Sequence, residues 1–213
     1  MQRNIRLVVF DLDGTLTTVD SLWEYLHDAL GTWDRGRIAA QKYRNGEISY
    51  KDWASADVQC WTGVPATTIR EALSRIPYSN GARSVFGHLQ QHQIRTAIIS
   101  AGLSILGDRV AADLGADFAV ANDLMIANGV LTGGIDVRVS LTNKGQIIED
   151  IAKKLSIQLD EIALVGDRVN DLPLESCLKI AYKPKDNLAR EKADVIIEDD
   201  DLSRILPFLA ETN

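Results

Sequence analysis

Cysteine is scarce in this chain: Cys60 and Cys177 are the only two in 213 residues, far apart and in no metal-ligand spacing. That excludes a disulfide framework and offers no zinc site, and two free thiols suit a reducing cytosol. Cations are also in deficit, 23 Lys and Arg against 30 Asp and Glu, for a net charge of -7. A sequence-independent grip on nucleic acid works by neutralising phosphates with Lys and Arg, so none is expected. No apolar run is long enough to span a bilayer. The basic start Met1-Gln2-Arg3-Asn4-Ile5-Arg6 leads into a short apolar run that stops at Asp11. Neither a signal peptide nor a membrane is therefore expected, and a cytoplasmic location is. Histidine is rare too. His88 and His92 stand four apart on an expected helix with no third ligand nearby, and His27 stands alone, so a histidine metal site is not expected.

What remains is an ordinary globular composition, 46% hydrophobic and 25% charged. The length suits one core domain carrying an insertion. Leu7-Val8-Val9-Phe10 is an unbroken apolar run ending at Asp11, the pattern of a strand buried on both faces of a parallel sheet. The runs 96–100 and 161–167 read the same way, and 178–182 and 195–197 extend the set. Helical stretches at 82–91, 104–114, 144–155 and 188–192 alternate with them. The fold class expected is α/β, a doubly wound, Rossmann-like parallel sheet. Thr132-Gly133-Gly134-Ile135-Asp136-Val137 predicts an antiparallel hairpin between Leu131 and Val139.

Residues 17–79 break the strand rhythm. Leu22, Trp23 and Leu26, then Trp53, Val58, Trp61 and Ile69, recur at helical spacing. The organisation expected is a core of 1–16 and 80–213 with a small helical cap, 17–79, inserted after the first strand. That insertion falls beside the strand's carboxyl end, where open α/β sheets bind ligands.

Four features fall on that edge. Asp11 and Asp13 follow the first strand. A carboxylate can attack phosphorus to give an aspartyl-phosphate, and a second one can protonate the leaving alcohol and then deprotonate water. Ser100-Ala101-Gly102 lies between a strand and a helix, where a hydroxyl and backbone N–H groups can hold a phosphoryl oxygen. Lys144 opens a helix and can offset phosphate charge. Gly166-Asp167-Arg168-Val169-Asn170-Asp171 follows another buried strand. Asp167 can share Mg2+ with Asp11, while Asn170 and Asp171 orient ligands or waters. The acidic run Glu198-Asp199-Asp200-Asp201 reads instead as a helix cap and solvated face.

Together, and in this order, Asp11-Leu12-Asp13-Gly14-Thr15, Ser100, Lys144 and Gly166-Asp167-Arg168-Val169-Asn170-Asp171 resemble the four motifs of the haloacid dehalogenase superfamily. Within it the chain resembles the phosphoserine phosphatase-like branch, also through Ala121-Asn122-Asp123-Leu124, Gly129 to Gly133 and Glu191-Lys192-Ala193-Asp194. The resemblance implies that Asp11 is nucleophile and Mg2+ ligand, and that Asp13 is acid/base and lends its backbone carbonyl to the metal. It implies Asp167 as the further ligand, with Ser100 and Lys144 on the phosphoryl group. The expected activity is hydrolysis of a small phosphomonoester through phospho-Asp11. Transfer to an alcohol acceptor and a non-catalytic binding module are the alternatives.

Two positions depart from the branch. Arg168 stands where Gly is usual. Asp20 suits the acidic residue that meets the substrate amine, but the Arg that meets its carboxylate aligns with Asp57, or, in another register, with Arg44 or a different cap Arg. A carboxylate at 57 would repel phosphoserine. Asp20, Asp57, Arg168, Asn170, Trp53 and Trp61 are therefore the positions expected to read the substrate, with a cationic head group one option.

Overall fold

The computed structural model describes residues 3–209. Its centre is β1 (Leu7–Phe10), which is completely buried because it has a parallel neighbour on each side, β2 (Arg95–Leu103) and β5 (Ile162–Gly166). With β3 (Phe118–Ala127), β4 (Val130–Asp136), β6 (Leu178–Tyr182) and β7 (Val195–Ile197) it forms one seven-stranded sheet, ordered β4-β3-β2-β1-β5-β6-β7. All pairings are parallel except β3 with β4.

Alternation along β1 divides the core in two. Val8 and Phe10 join Val85, Phe86 and Leu89 of α5 (Ala82–Gln91) and Leu106 and Val110 of α6 (Ser104–Leu114). Leu7 and Val9 face the other way, onto Ile148, Ile151 and Ala152 of α7 (Lys144–Leu155). Period-2 side chains thus meet helices on both faces, as a doubly wound sheet requires. A short α8 (Asn187–Lys192) precedes β7.

Between β1 and α5 the chain forms α1 (Leu22–Ala29), α2 (Trp33–Arg44), α3 (Tyr50–Gln59) and α4 (Ala66–Ser74). Ser21 caps α1 by accepting from the Glu24 N–H, and Ser49 and Asp52 form a reciprocal capping box on α3. The apolar residues of these helices, among them Leu22, Leu26, Ile69 and Leu73, run continuously into the Val8 and Phe10 side of the core.

The β-hairpin differs from the expected one. Its turn is Asn128-Gly129, both at positive φ, and it joins β3 to β4. Gly133, in the stretch expected to hold the hairpin, lies within β4. An Asn-Gly pair is the stronger hairpin signal, since both central residues of that turn need left-handed backbone. The hairpin also grips the helical insertion: Gly63 N–H donates to Leu131 O, Leu131 N–H to Val64 O and Ala66 N–H to Gly129 O, at 2.8–2.9 Å.

The acidic run resolves into ion pairs of Glu198 with Arg190, Asp199 with Arg204 and Asp200 with Lys183. Asp201 accepts from Ser203 N–H and caps the 3-10 turn at Leu202–Phe208.

Candidate active site

Asp11 leaves β1 with its N–H on Val165 O at 2.9 Å, so its side chain emerges at the carboxyl edge between β1 and β5. Asp13 is held from the insertion, its Oδ2 accepting from Leu22 N–H at 2.8 Å at the start of α1. Gly14 lets the two strand ends approach. Its φ is +74°, and a Cβ there would lie 2.4 Å from Asp167 Oδ2.

Lys144, the first residue of α7, is buried and donates to Asp11 Oδ1 at 2.7 Å and to Asp171 Oδ1 at 2.6 Å. Burial alone would push its ammonium toward neutrality, but Asp11 and Asp171 outweigh that and hold it above its usual range. Asp171 also receives the Arg168 N–H and the Asn170 amide, which closes the turn after β5.

The carboxylates are under strain from one another. Burial, then Asp171, push Asp11 up to about 7 against the pull of Lys144. Burial raises Asp13 to about 6, opposed by the Leu22 N–H. Burial, then Asp11 and Asp171, raise Asp167 to about 8. Carboxylates crowded in low dielectric favour either protons or a cation.

A cation fits. Asp11, Asp167 and Asp171 each offer an oxygen within 4.8 Å of the others, and Asp167 Oδ2 is buried with no hydrogen-bond partner. All donors are carboxylate oxygens, as a hard divalent ion prefers.

Ser100, Ala101 and Gly102 correct the expected local structure. They are not at a helix start but in the bulged end of β2, and α6 begins only at Ser104. A strand-end loop thus presents the Ser100 hydroxyl, which accepts from Gly102 N–H at 2.9 Å. The Ala101 carbonyl points away and takes three donors: Tyr50 hydroxyl at 2.5 Å, Asn122 Nδ2 at 2.9 Å and Trp23 Nε1 at 3.2 Å.

These residues wall a cavity of about 250 Å³. Asp11, Asp13, Asp20, Ser100, Ala101, Gly102, Lys144, Asp167, Arg168, Asn170 and Asp171 all line it, and so does Trp53. Asp57 does not. It is buried inside the insertion, Oδ1 3.3 Å from His27 Nε2, and burial raises its pKa while His27 opposes the rise. Its place is fixed by that partner, which the sequence spacing did not link to it. His27 is accordingly not isolated: its Nδ1 lies 2.8 Å from Thr32 Oγ1. Trp61 also faces inward, fully buried, with Nε1 donating to Thr32 Oγ1. Arg44 is exposed and off the cavity. His88 and His92 stack on each other at 4.0 Å, away from the carboxylates.

Five lining residues escaped the sequence reading as site residues: Ser21, Trp23, Glu24, Tyr50 and Leu141. Tyr50 directly follows the Ser49 cap, and Trp23 and Glu24 stand a few residues after Asp20. Position next to those features was the available signal.

The profile of the family described as haloacid dehalogenase-like hydrolase matches residues 8–175. The chain is 31% identical over 212 residues to phosphoserine phosphatase of Methanocaldococcus jannaschii, covering 98% of this chain and 100% of that one. It is 34% identical over 203 residues to phosphoserine phosphatase of Archaeoglobus fulgidus, covering 94% of this chain and 58% of that one. A solved structure of a phospho-aspartyl intermediate analogue of phosphoserine phosphatase superposes with a TM-score of 0.83 at 29% identity, covering 98% of this chain and 100% of that one. The HAD family hydrolase t0658 of Salmonella enterica serovar Typhi superposes with a TM-score of 0.89 at 28% identity, covering 100% of this chain and 73% of that one.

Proposed function

The chain belongs to the haloacid dehalogenase-like hydrolases, and on that premise we propose that it hydrolyses a small phosphomonoester through a phosphorylated Asp11. The observation that carries the reading is the buried 2.7 Å contact between Lys144 Nζ and Asp11 Oδ1, with Asp13 pinned two residues on by Leu22 N–H. The likeness to phosphoserine phosphatases along the whole chain, and to a phospho-aspartyl analogue structure, supports it.

An Asp11 oxygen attacks phosphorus as the bond to the ester oxygen breaks, and Asp13, protonated, gives its proton to that oxygen. The alcohol leaves neutral. Water then attacks the acyl-phosphate phosphorus while Asp13 takes its proton, the phosphorus–Asp11 bond breaks, and inorganic phosphate departs. An Asp13 pKa raised by burial suits both directions of transfer. Lys144 offsets charge on the transferring group, while the Ser100 hydroxyl and Gly102 N–H stand ready to hold one of its oxygens.

Mg2+ held by the Asp11 and Asp167 carboxylates and the Asp13 carbonyl, with Asp171 beside them, would neutralise charge on the phosphoryl oxygens. The helices of 17–79 act as a cap over the core: they supply Leu22 N–H to Asp13 and rings to the cavity, and so exclude water from the first displacement.

Phosphate release from a panel of small phosphomonoesters should require Mg2+ and disappear in Asp11→Asn. Full turnover by that folded variant would overturn the assignment.

A further inference from the structure

The cavity has two chemically distinct ends. At the phosphoryl end sit the carboxylates and both lining cations. Lys144 is clasped by Asp11 and Asp171, and Arg168 stands close enough to Asp13 and Asp167 to favour their charged forms.

The other lining is supplied by the helices between β1 and α5, and it is aromatic. Trp23, Tyr50 and Trp53 form it as one packed group. Trp53 lies 6.0 Å from Trp23 and 5.6 Å from Tyr50 between ring centroids, and stacks at 4.9 Å on Tyr43 behind it. Their polar edges are buried: two are hydrogen-bonded and the third, on Trp53, has no partner. Trp23 N–H and Tyr50 hydroxyl both donate to the Ala101 carbonyl, and the Trp53 N–H is buried on the side of Asp57. Carbon faces and edges are what remain for a ligand.

The charges beside these rings are negative. Asp20 and Glu24 line the same cavity, one just before α1 and one in its first turn. Asp20 holds the Lys185 ammonium at 3.0 Å, while Glu24 is exposed. No arginine of the helical insertion lines the cavity, and Asp57 is sealed against His27. A substrate carboxylate at this end would meet Glu24, ring faces and an Asp20 whose one counter-ion, Lys185, is already committed. A substrate ammonium would meet the same carboxylates as counter-ions and the same rings as cation–π partners, and could take the place of Lys185 on Asp20.

We propose that the substrate is the phosphate ester of an amino alcohol that carries no carboxylate, its ammonium group held by Trp23, Tyr50 and Trp53 with Asp20 and Glu24 at the rim. The proposal rests on the reading of this site as a phosphatase and narrows it. The α-carbon of phosphoserine carries both an ammonium and a carboxylate, so its amine fits and its carboxylate does not.

The test is steady-state phosphate release with Mg2+ from five esters: p-nitrophenyl phosphate, glycerol phosphate, phosphoserine, phosphoethanolamine and phosphocholine. We expect kcat/KM for phosphoethanolamine or phosphocholine to exceed that for phosphoserine and for glycerol phosphate by about tenfold or more, the scale of a partly desolvated cation–π contact with a counter-ion. A lead for phosphocholine assigns the larger share to the rings, a lead for phosphoethanolamine to the carboxylates, and either supports the proposal. Glu24→Gln and Trp53→Leu should each lower the ratio of the ammonium ester to glycerol phosphate several-fold. Hydrolysis of p-nitrophenyl phosphate with phosphoserine or glycerol phosphate equal to or better than both ammonium esters would overturn the proposal and leave the phosphatase reading standing. An unchanged ratio in both variants would overturn it too. Failure to hydrolyse any of the five would remove the phosphatase reading itself.

Discussion

The Tyr50 hydroxyl, from the first residue of α3, donates to the Ala101 carbonyl at 2.5 Å and so ties the insertion to the end of β2. In a trans peptide the C=O and the following N–H point in opposite directions. Holding Ala101 O toward Tyr50, Trp23 and Asn122 therefore turns the Gly102 N–H toward Ser100 Oγ and the phosphoryl end. The aromatic wall and the phosphate-facing peptide are one construction.

Tyr50→Phe isolates that link, because the ring stays and only the donor goes. Ala101 O keeps Asn122 and Trp23, so the loss in stability should be about 1 kcal/mol or less. We expect kcat to fall about three- to tenfold as the 101–102 peptide gains freedom, with a smaller change in KM. Steady-state kinetics beside a thermal melt check this, and an unchanged kcat would separate the peptide's orientation from Tyr50.

Lys144→Met should abolish phosphate release and also weaken the fold. Removing one partner of a buried ion group leaves its carboxylates facing each other, a loss on the order of 3–5 kcal/mol before protonation relieves part of it. Asp11 and Asp171 are both buried, so water can do little to compensate. Urea unfolding of the variant measures the loss, and a midpoint equal to the parent's would show that the pair contributes nothing to stability.

The parallel core was legible because its strands are buried on both faces. Leu7–Phe10 and Ile162–Gly166 have no polar residue to blur the pattern. β3 was not, because it runs from half-buried through a buried middle that holds Asn122 to an exposed end, and keeps neither alternation nor an unbroken apolar run. The gathering of Asp11, Asp13, Ser100, Lys144 and Asp167 at one edge could be read from their places after strands and at a helix start. The inward turn of Asp57 could not. It depends on His27 thirty residues away finding it across two helices, a tertiary pairing that no local spacing encodes.

Mg2+ should stabilise the protein as well as activate it. The crowded carboxylates at 11, 167 and 171 destabilise the apo site, and a cation that binds the folded chain alone adds about 2.7 kcal/mol at a hundred times its dissociation constant. A melt with MgCl2 against one with EDTA should show a clear upward shift in Tm, and Asp167→Asn should lose most of it. Equal melting with and without Mg2+ in the parent would count against metal binding at these residues, whatever the activity.

Gly36→Ala should destabilise the protein although it places the better helix former inside a helix. In an exposed helix interior the change is favourable by roughly 0.5–1 kcal/mol. Gly36 lies buried in α2, and a Cβ there would come within 2.4 Å of His27 Nε2 and 2.8 Å of Cδ2. The ring has little room to yield. Thr32 Oγ1 holds its Nδ1, Asp57 faces its Nε2, and Trp33 and Trp61 flank it with centroids at 5.6 and 5.0 Å. Overpacking of this kind costs about 1–3 kcal/mol, more than helix propensity returns. A lower Tm with kcat retained at temperatures below the transition is the expected result, since none of these groups lines the cavity. Adding His27→Ala should relieve the clash, so that the double variant loses less than the sum of the two single changes. A Gly36→Ala protein as stable as its parent would mean that the Thr32–His27–Asp57 cluster is looser than its contacts imply.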